Sequence, residues 1–188
     1  MNSQVRSAGP GDAGAIAELH AASWRSSYRG AFADAFLDGE LGPERRRHWF
    51  ERLETGPHPD QGVLVAMEDG ACVGFICIYL AAEPDWGPLL DNLHVRPDRK
   101  GRGIGRRLLQ EGIAWIRARG AFDRWHLGVV EANAPARRVY EHLGWTPGER
   151  AVHLAPDGTG YAVLRYAQRL PPAEARTDSA PPEGPRPV

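Results

Sequence analysis

Residues Val95–Leu109 read V-R-P-D-R-K-G-R-G-I-G-R-R-L-L and hold the residue types best suited to binding phosphate. Gly101, Gly103 and Gly105 alternate where an apolar strand should give way to an apolar-periodic helix. Glycine lacks Cβ, so the backbone there can turn tightly and bring its N–H groups close to a ligand. The first amides of a helix have no intrahelical partner and lie at the positive end of its dipole. Such a site suits a phosphate or pyrophosphate. Lys100, Arg102, Arg106 and Arg107 add positive charge around it. A Walker-type loop, G-x-x-x-x-G-K-[ST], is absent. The dinucleotide fingerprint G-x-G-x-x-G also fails, because Arg106 stands where its last glycine should be.

What remains, K-G-R-G-I-G, resembles the coenzyme A pyrophosphate loop of the GNAT superfamily of N-acetyltransferases, [Q/R]-x-x-G-x-[G/A]. Lysine replaces Gln/Arg at its first position. A second block, Val129–Trp145, reads V-V-E-A-N-A-P-A-R-R-V-Y-E-H-L-G-W. Asn133, Ala136, Tyr140, Gly144 and Trp145 are similar to the family's strand, Asn, A-x-x-x-Y helix, Gly and aromatic. Independently of any family, Asn133 is a good cap ahead of Pro135. Gly144 suits the left-handed position that ends a helix. A plain capped surface helix would explain those two features, but not both blocks in this order.

The resemblance implies an α/β GNAT fold. That fold is a mixed, mostly antiparallel twisted sheet of about six to seven strands, with helices on both faces and a V-shaped splay between two central parallel strands. It implies acetyl-CoA as cosubstrate, with no metal. The activity implied is acetyl transfer to a primary amine by direct attack in a ternary complex. Pyrophosphate anchoring falls to the amides of Gly101, Arg102, Gly103, Ile104, Gly105 and Arg106 beside Lys100. The pantetheine arm falls to the backbone of Leu93, His94 and Val95, and contact with the cofactor arm also to Asn133.

Tyr140 matches the family tyrosine near the cofactor sulfur and is the expected general acid. A phenol of pKa ~10 protonates a thiolate of pKa ~8.5 only in concert with C–S cleavage. An alkylammonium of pKa ~10.4 must lose a proton before attack. Asp91, four residues before Val95 and on the Leu93 face of a regular strand, is the first candidate base. Glu131 is the runner-up. Some protein-N-terminal acetyltransferases of the family use a glutamate five residues before the asparagine, where this chain has Gly128. His94 and His126 have suitable intrinsic pKa values but could equally be structural. A water chain is the remaining alternative. The stretch S-W-R-S-S-Y-R-G, Ser23–Gly30, resembles a motif of a bacterial subgroup in which this region walls the acceptor site. Trp24, Tyr28 and Arg29 are therefore candidate substrate contacts, together with Trp86. Rival readings are a CoA-binding regulatory module without turnover and an acyltransferase for a larger acyl group.

At 188 residues the chain can form one domain with a sizeable core. A net charge of −1 gives no global pull toward nucleic acid or membrane. Cys72 and Cys77 form no metal-type cluster or disulfide framework and read as small core residues. No apolar run is long enough to span a bilayer, and no signal-peptide layout opens the chain, so a cytoplasmic protein is expected. A homodimer would match many relatives.

The elements that must position these residues follow from pattern. A strand is expected near Gln4–Ala8, then a helix capped by Asp12 and carrying Ile16, Leu19 and Trp24. After a break near Tyr28–Gly30 comes a second helical region, and then a helix starting at Pro43 with Trp49 and Leu53 on one side. Strands Val63–Glu68 and Ala71–Leu80 flank the hairpin signal Asp69-Gly70. Leu89–Val95 feeds the glycine loop, and the helix from Ile104 runs toward Gly120. A strand over Trp125–Val130 and a helix over Pro135–Leu143 follow. A final hairpin, Arg150–Leu154 and Tyr161–Leu170, turns at Asp157-Gly158. The GNAT domain is expected over 1–170, and Pro171–Val188 is expected to be a disordered tail.

Overall fold

The computed structural model describes residues 3–54, 56, 58–83, 85–154 and 158–171. The expected Asp157 turn and the tail from 172 onward lie outside them. Among the described residues seven strands form one sheet: β1 (Gln4–Ser7), β2 (Gln61–Glu68), β3 (Ala71–Glu83), β4 (Gly87–Val95), β5 (Arg124–Val130), β6 (Thr146–Leu154) and β7 (Gly160–Arg169). Their order is β1-β2-β3-β4-β5-β7-β6, and only β4 and β5 run parallel. The helices are α1 (Ala13–Ser27), α2 (Leu41–Glu54), α3 (Ile104–Arg117) and α4 (Ala134–His142).

Two apolar layers sandwich the sheet. On one face, Leu108, Leu109 and Ile116 of α3 pack with Ile76, Ile78, Leu90, Trp125 and Tyr166, and α4 adds Ala136, Tyr140 and Leu143. On the other, Ile16 and Leu19 of α1 and Trp49 and Leu53 of α2 cover Val65, Phe75 and Cys77. Apolar residues run almost without a break along β3 because both of its faces are buried under helices. The Asp69-Gly70 hairpin turns with both residues at positive φ (49° and 77°), as a two-residue primed turn requires.

Local chemistry departs from expectation in two places. Asp12 stands at the N-terminus of α1 but makes no side-chain cap there. Its carboxylate turns back instead, accepting from Gly9 N at 2.8 Å and from both terminal nitrogens of Arg6 at 2.8 Å. It thereby closes the preceding 3-10 turn, Pro10–Asp12. Pro43 does not start its helix. A π-helical stretch, Phe36–Glu40, runs straight into α2, which begins at Leu41. Pro43 therefore lies inside a continuous helical run, which forgoes one backbone donor there. Among the described residues, no helix is long and apolar enough to cross a membrane.

Candidate active site

Strands β4 and β5 stay in register only at Leu89–His126 and Leu90–Leu127. Beyond these pairs, toward their carboxyl ends, they part, leaving Leu93–Val95 bonded to β3 alone. Two features of β4 set this geometry. Cys77 faces Asn92 while Ile78 faces Leu90, so Asp91 is an extra, bulged residue. A bulge bends its strand and turns a side chain to the opposite face. At the other end Gly87 has φ 73°, and a Cβ there would lie 2.3 Å from the Arg124 carbonyl oxygen. Only glycine allows that close approach, which holds the slot shut at its amino-terminal end.

The bulge corrects the expected placement of Asp91. Leu90, Leu93 and Val95 face the α3 layer. Asp91 lies opposite Leu93, toward α2, where its carboxylate accepts from Arg52 Nη1 at 3.2 Å and from the Asn92 amide at 2.5 Å. Period-2 alternation fails because the strand carries one residue too many.

The glycine loop lies at the open end of the slot. After β4 a 3-10 turn, Pro97–Arg99, leads to Gly101 and Gly103, at φ 77° and 79°. No heavy atom lies within 4 Å of a Cβ built on either, so a ligand has room to approach the backbone. Arg107 N–H is bonded to Gly103 C=O at 3.0 Å, so the amides of Ile104, Gly105 and Arg106 precede the first helical hydrogen bond of α3. Lys100, Arg102 and Arg106 are exposed around them. Positive φ, open space and free amides together fit a pyrophosphate.

On the α1–α2 side a cleft of about 590 Å³ opens over the slot. Its walls include Trp24 and Tyr28 of α1 and its C-terminal turn, Arg45, His48 and Arg52 of α2, and residues from β4 to β7. Trp24 stacks on Phe32 (centroids 5.3 Å apart, planes 5° apart), with Arg45 over its ring at 5.1 Å. The His94 side chain turns away from the α3 layer onto α1. Its Nδ1 is 2.8 Å from Ser23 Oγ and its ring centroid 4.5 Å from that of His20. Burial, with Lys100 and Arg45 nearby, lowers its pKa to about 3.

Asn133 lies between the two sides. Its Oδ1 accepts from Ala136 N at 3.2 Å, so it caps α4 as its position implied. Burial raises the pKa of the nearby Tyr28 hydroxyl, and the Asn133 side chain opposes that rise. Tyr140, about two helical turns farther along, packs edge-on to Trp145 at 5.8 Å. Burial, and then the neighbouring Tyr28, raise its hydroxyl pKa well above the ordinary phenol value. Gly144 ends this helix segment at φ 85°.

Other candidates lie outside the cleft wall. Glu131 follows β5 and is held by Arg150, whose Nη2 is 2.9 Å from its carboxylate. That pairing lowers its pKa. Arg29 is exposed and paired with Asp34 and Asp38. Trp86 packs between Arg124 and Arg165, at 5.4 and 4.6 Å from its ring centroid. Inside the cleft, at the closed end of the slot, His126, one of the candidate bases, lies beside Glu83, which no sequence signal marked. Spacing alone did not bring them together, because the β3–β4 hairpin and strand β5 meet only in the folded sheet.

The chain matches the acetyltransferase (GNAT) family over residues 15–145. It is 33% identical over 133 residues to a mycothiol acetyltransferase of Thermobispora bispora, covering 66% of this chain and 42% of the relative. It is also 33% identical over 115 residues to a streptothricin acetyltransferase of Streptomyces lavendulae, covering 60% of this chain and 53% of the relative. The chain thus spans about half or less of the length of these curated relatives. Its fold is similar to a crystal structure of the PaiA N-acetyltransferase from Thermoplasma acidophilum in complex with coenzyme A. The TM-score is 0.67 at 18% identity, covering 88% of this chain and 98% of the other. The parted parallel strands, the glycine loop at their carboxyl ends and a family match over more than half the sequence agree: the chain belongs to the GNAT acetyltransferase family.

Proposed function

We propose that this protein transfers an acetyl group from acetyl-CoA to a primary amine by direct attack in a ternary complex. One observation carries the reading: the two-sided slot, with a phosphate-type loop at its open end and a polar cleft over its other side. A donor and an acceptor can occupy it together. Bound acetyl-CoA supplies an activated acyl carbon as a thioester.

The chain's own groups then have separate tasks. The amides of Gly101–Arg106 hold the pyrophosphate, assisted by Lys100, Arg102 and Arg106. Leu93, His94 and Val95 lack backbone partners toward β5 and offer them to the pantetheine arm. Asn133 orients the arm and caps α4. Tyr140 holds a proton that it gives to the leaving sulfur as the C–S bond breaks. Trp24 and Tyr28 line the acceptor's path. Asp91 faces the same cleft beside Arg52, whereas the ion pair with Arg150 leaves Glu131 a weaker proton acceptor.

Direct attack is favoured over an acyl-enzyme by the state of the two thiols. Burial raises both pKa values, that of Cys77 to about 12, which leaves little thiolate at neutral pH. A titration with coenzyme A, followed by an amine panel with acetyl-CoA and a free-thiol readout, tests the proposal. Binding plus amine-dependent thiol release is expected. Binding without release by any amine would make the protein a CoA-binding module, and absence of binding would remove the reading.

A further inference from the structure

Glu83 ends β3, and His126 lies opposite Leu89 at the point where β4 and β5 begin to part. Both line the cleft. The His126 side chain is only 2% exposed, and neither ring nitrogen completes a hydrogen bond of ordinary geometry, although Glu83 and the Trp86 backbone lie beside it. A buried polar group without a partner is costly, and in a native structure it commonly faces a ligand or water. Its Nε2 is 3.4 Å from Glu83 Oε1, while Glu83 Oε2 accepts from Arg165 Nη2 at 2.8 Å. Arg165 therefore fixes one carboxylate oxygen and leaves the other between the imidazole and the cleft. The Glu83 side chain is 42% exposed, so an incoming cation can reach it.

We propose that this closed end of the cleft deprotonates the acceptor, with Glu83 holding the alkylammonium and His126 taking its proton. The inference rests on the acetyl-transfer reading above. It adds a binding determinant and a base that lie on neither the glycine loop nor α4.

The position suits the chemistry. From Val95 back to Leu90 a strand spans roughly 16 Å at ~3.3 Å per residue. An arm anchored at the loop and laid along β4 thus brings its thioester toward the vertex beside Leu90, Leu127 and His126. The ammonium gives one proton to His126 Nε2, and its nitrogen pair then forms the N–C bond to the acetyl carbon. The C–S pair passes to sulfur. Tyr140 gives sulfur its proton, and the second nitrogen proton, lost as that bond breaks, restores the Tyr140 hydroxyl by way of solvent. His126 returns its own proton to solvent past Glu83.

The charged groups around the ring are Glu83 from β3, Arg165 from β7, Glu149 from β6 through its pairing with Arg165 at 3.6 Å, and Arg124 of β5, which packs on Trp86. Asp91 and Arg52 lie elsewhere on the cleft wall. Burial first, then Arg165, lowers the pKa of His126, while Glu83 and the Trp86 backbone oppose the shift. The ring is therefore neutral and able to accept at neutral pH.

The test uses the acceptor found by thiol release and compares wild type with His126→Gln and Glu83→Gln. For His126→Gln, kcat/KM at pH 7 should fall about 100-fold. It should then recover about tenfold per pH unit toward the amine pKa of ~10.4, because free amine replaces the lost base. For Glu83→Gln, KM should rise about tenfold or more with a smaller change in kcat. Its acid limb should also move to lower pH, since a carboxylate favouring charged imidazole is gone. Coenzyme A affinity should be unchanged in both. Variants that keep the wild-type rate and pH profile would overturn the proposal while leaving acetyl transfer intact. A wild type that binds no coenzyme A, or acetylates no amine, would overturn the acetyl-transfer reading and this inference with it. If His126→Gln does not fold, the wild-type His126 ring is titrated by NMR with saturating methylammonium. Its pKa should fall as the bound cation opposes ring charging, and an unmoved titration would overturn the proposal.

Discussion

Tyr140 and Asn133 are about two turns of helix apart, and the fold gives them different work. Burial beside Tyr28 keeps the Tyr140 hydroxyl protonated well above neutral pH. If it is the acid, Tyr140→Phe should lower the single-turnover acetyl-transfer rate by about 100-fold and leave coenzyme A affinity within about twofold. No loss of wild-type rate attributable to Tyr140 ionisation should appear below pH 10, because its pKa is raised. Asn133 has one side-chain hydrogen bond to lose, the cap on Ala136 N. Asn133→Ala should cost about 1 kcal/mol in urea unfolding from the cap alone. Calorimetry should show a separate loss of coenzyme A affinity. Asn133 was legible as a cap from its place before Ala134-Pro135. Its closeness to Tyr28 was not, because Tyr28 is more than a hundred residues away in sequence.

At the scale of the element, β4 and the turn into α3 make the site. Gly103 adopts φ 79°, so Gly103→Ala should cost roughly 1–2 kcal/mol. It should also weaken coenzyme A binding at least tenfold, as the loop amides turn away. Gly105 is inside the helix, and a Cβ there would meet Val95 Cγ2 at 3.6 Å, an ordinary contact. Gly105→Ala should therefore hold or raise stability by up to about 1 kcal/mol. Differential scanning calorimetry and calorimetric coenzyme A titration of both variants would check this pair. Gly87→Ala should be severe, because its Cβ would meet backbone of β5 at the point where the two strands are pressed together. The glycine spacing marked the loop in advance. The Asp91 bulge was invisible, because strand pairing, and not local propensity, determines where an extra residue is left over.

Across the whole molecule, two helical layers bury different charge chemistry. The α3–α4 layer is almost wholly apolar, whereas the α1–α2 layer encloses His20 and His94. His94 has its folded pKa lowered to about 3 from an ordinary 6.5, so between these values the unfolded chain binds more protons than the folded one. The stability this neutral ring preserves is present above pH 6.5 and is lost as pH falls toward 3. Urea unfolding from pH 7 to pH 4 should show stability falling by up to about 1.4 kcal/mol per pH unit from this residue, with a shallower slope in His94→Gln.

The sequence by itself determined the element order, the phosphate-type loop, the cap and end of α4, and the family. Each of these is written in local spacing, where glycine, proline and apolar periodicity act over a few residues. Tertiary structure decided where the parallel strands part and which way Asp91 faces. It placed Arg29 and Trp86 in ion pairs and cation–π stacks, and it brought Glu83 to His126. Those outcomes depend on pairing register and on packing between distant segments, which no local pattern encodes.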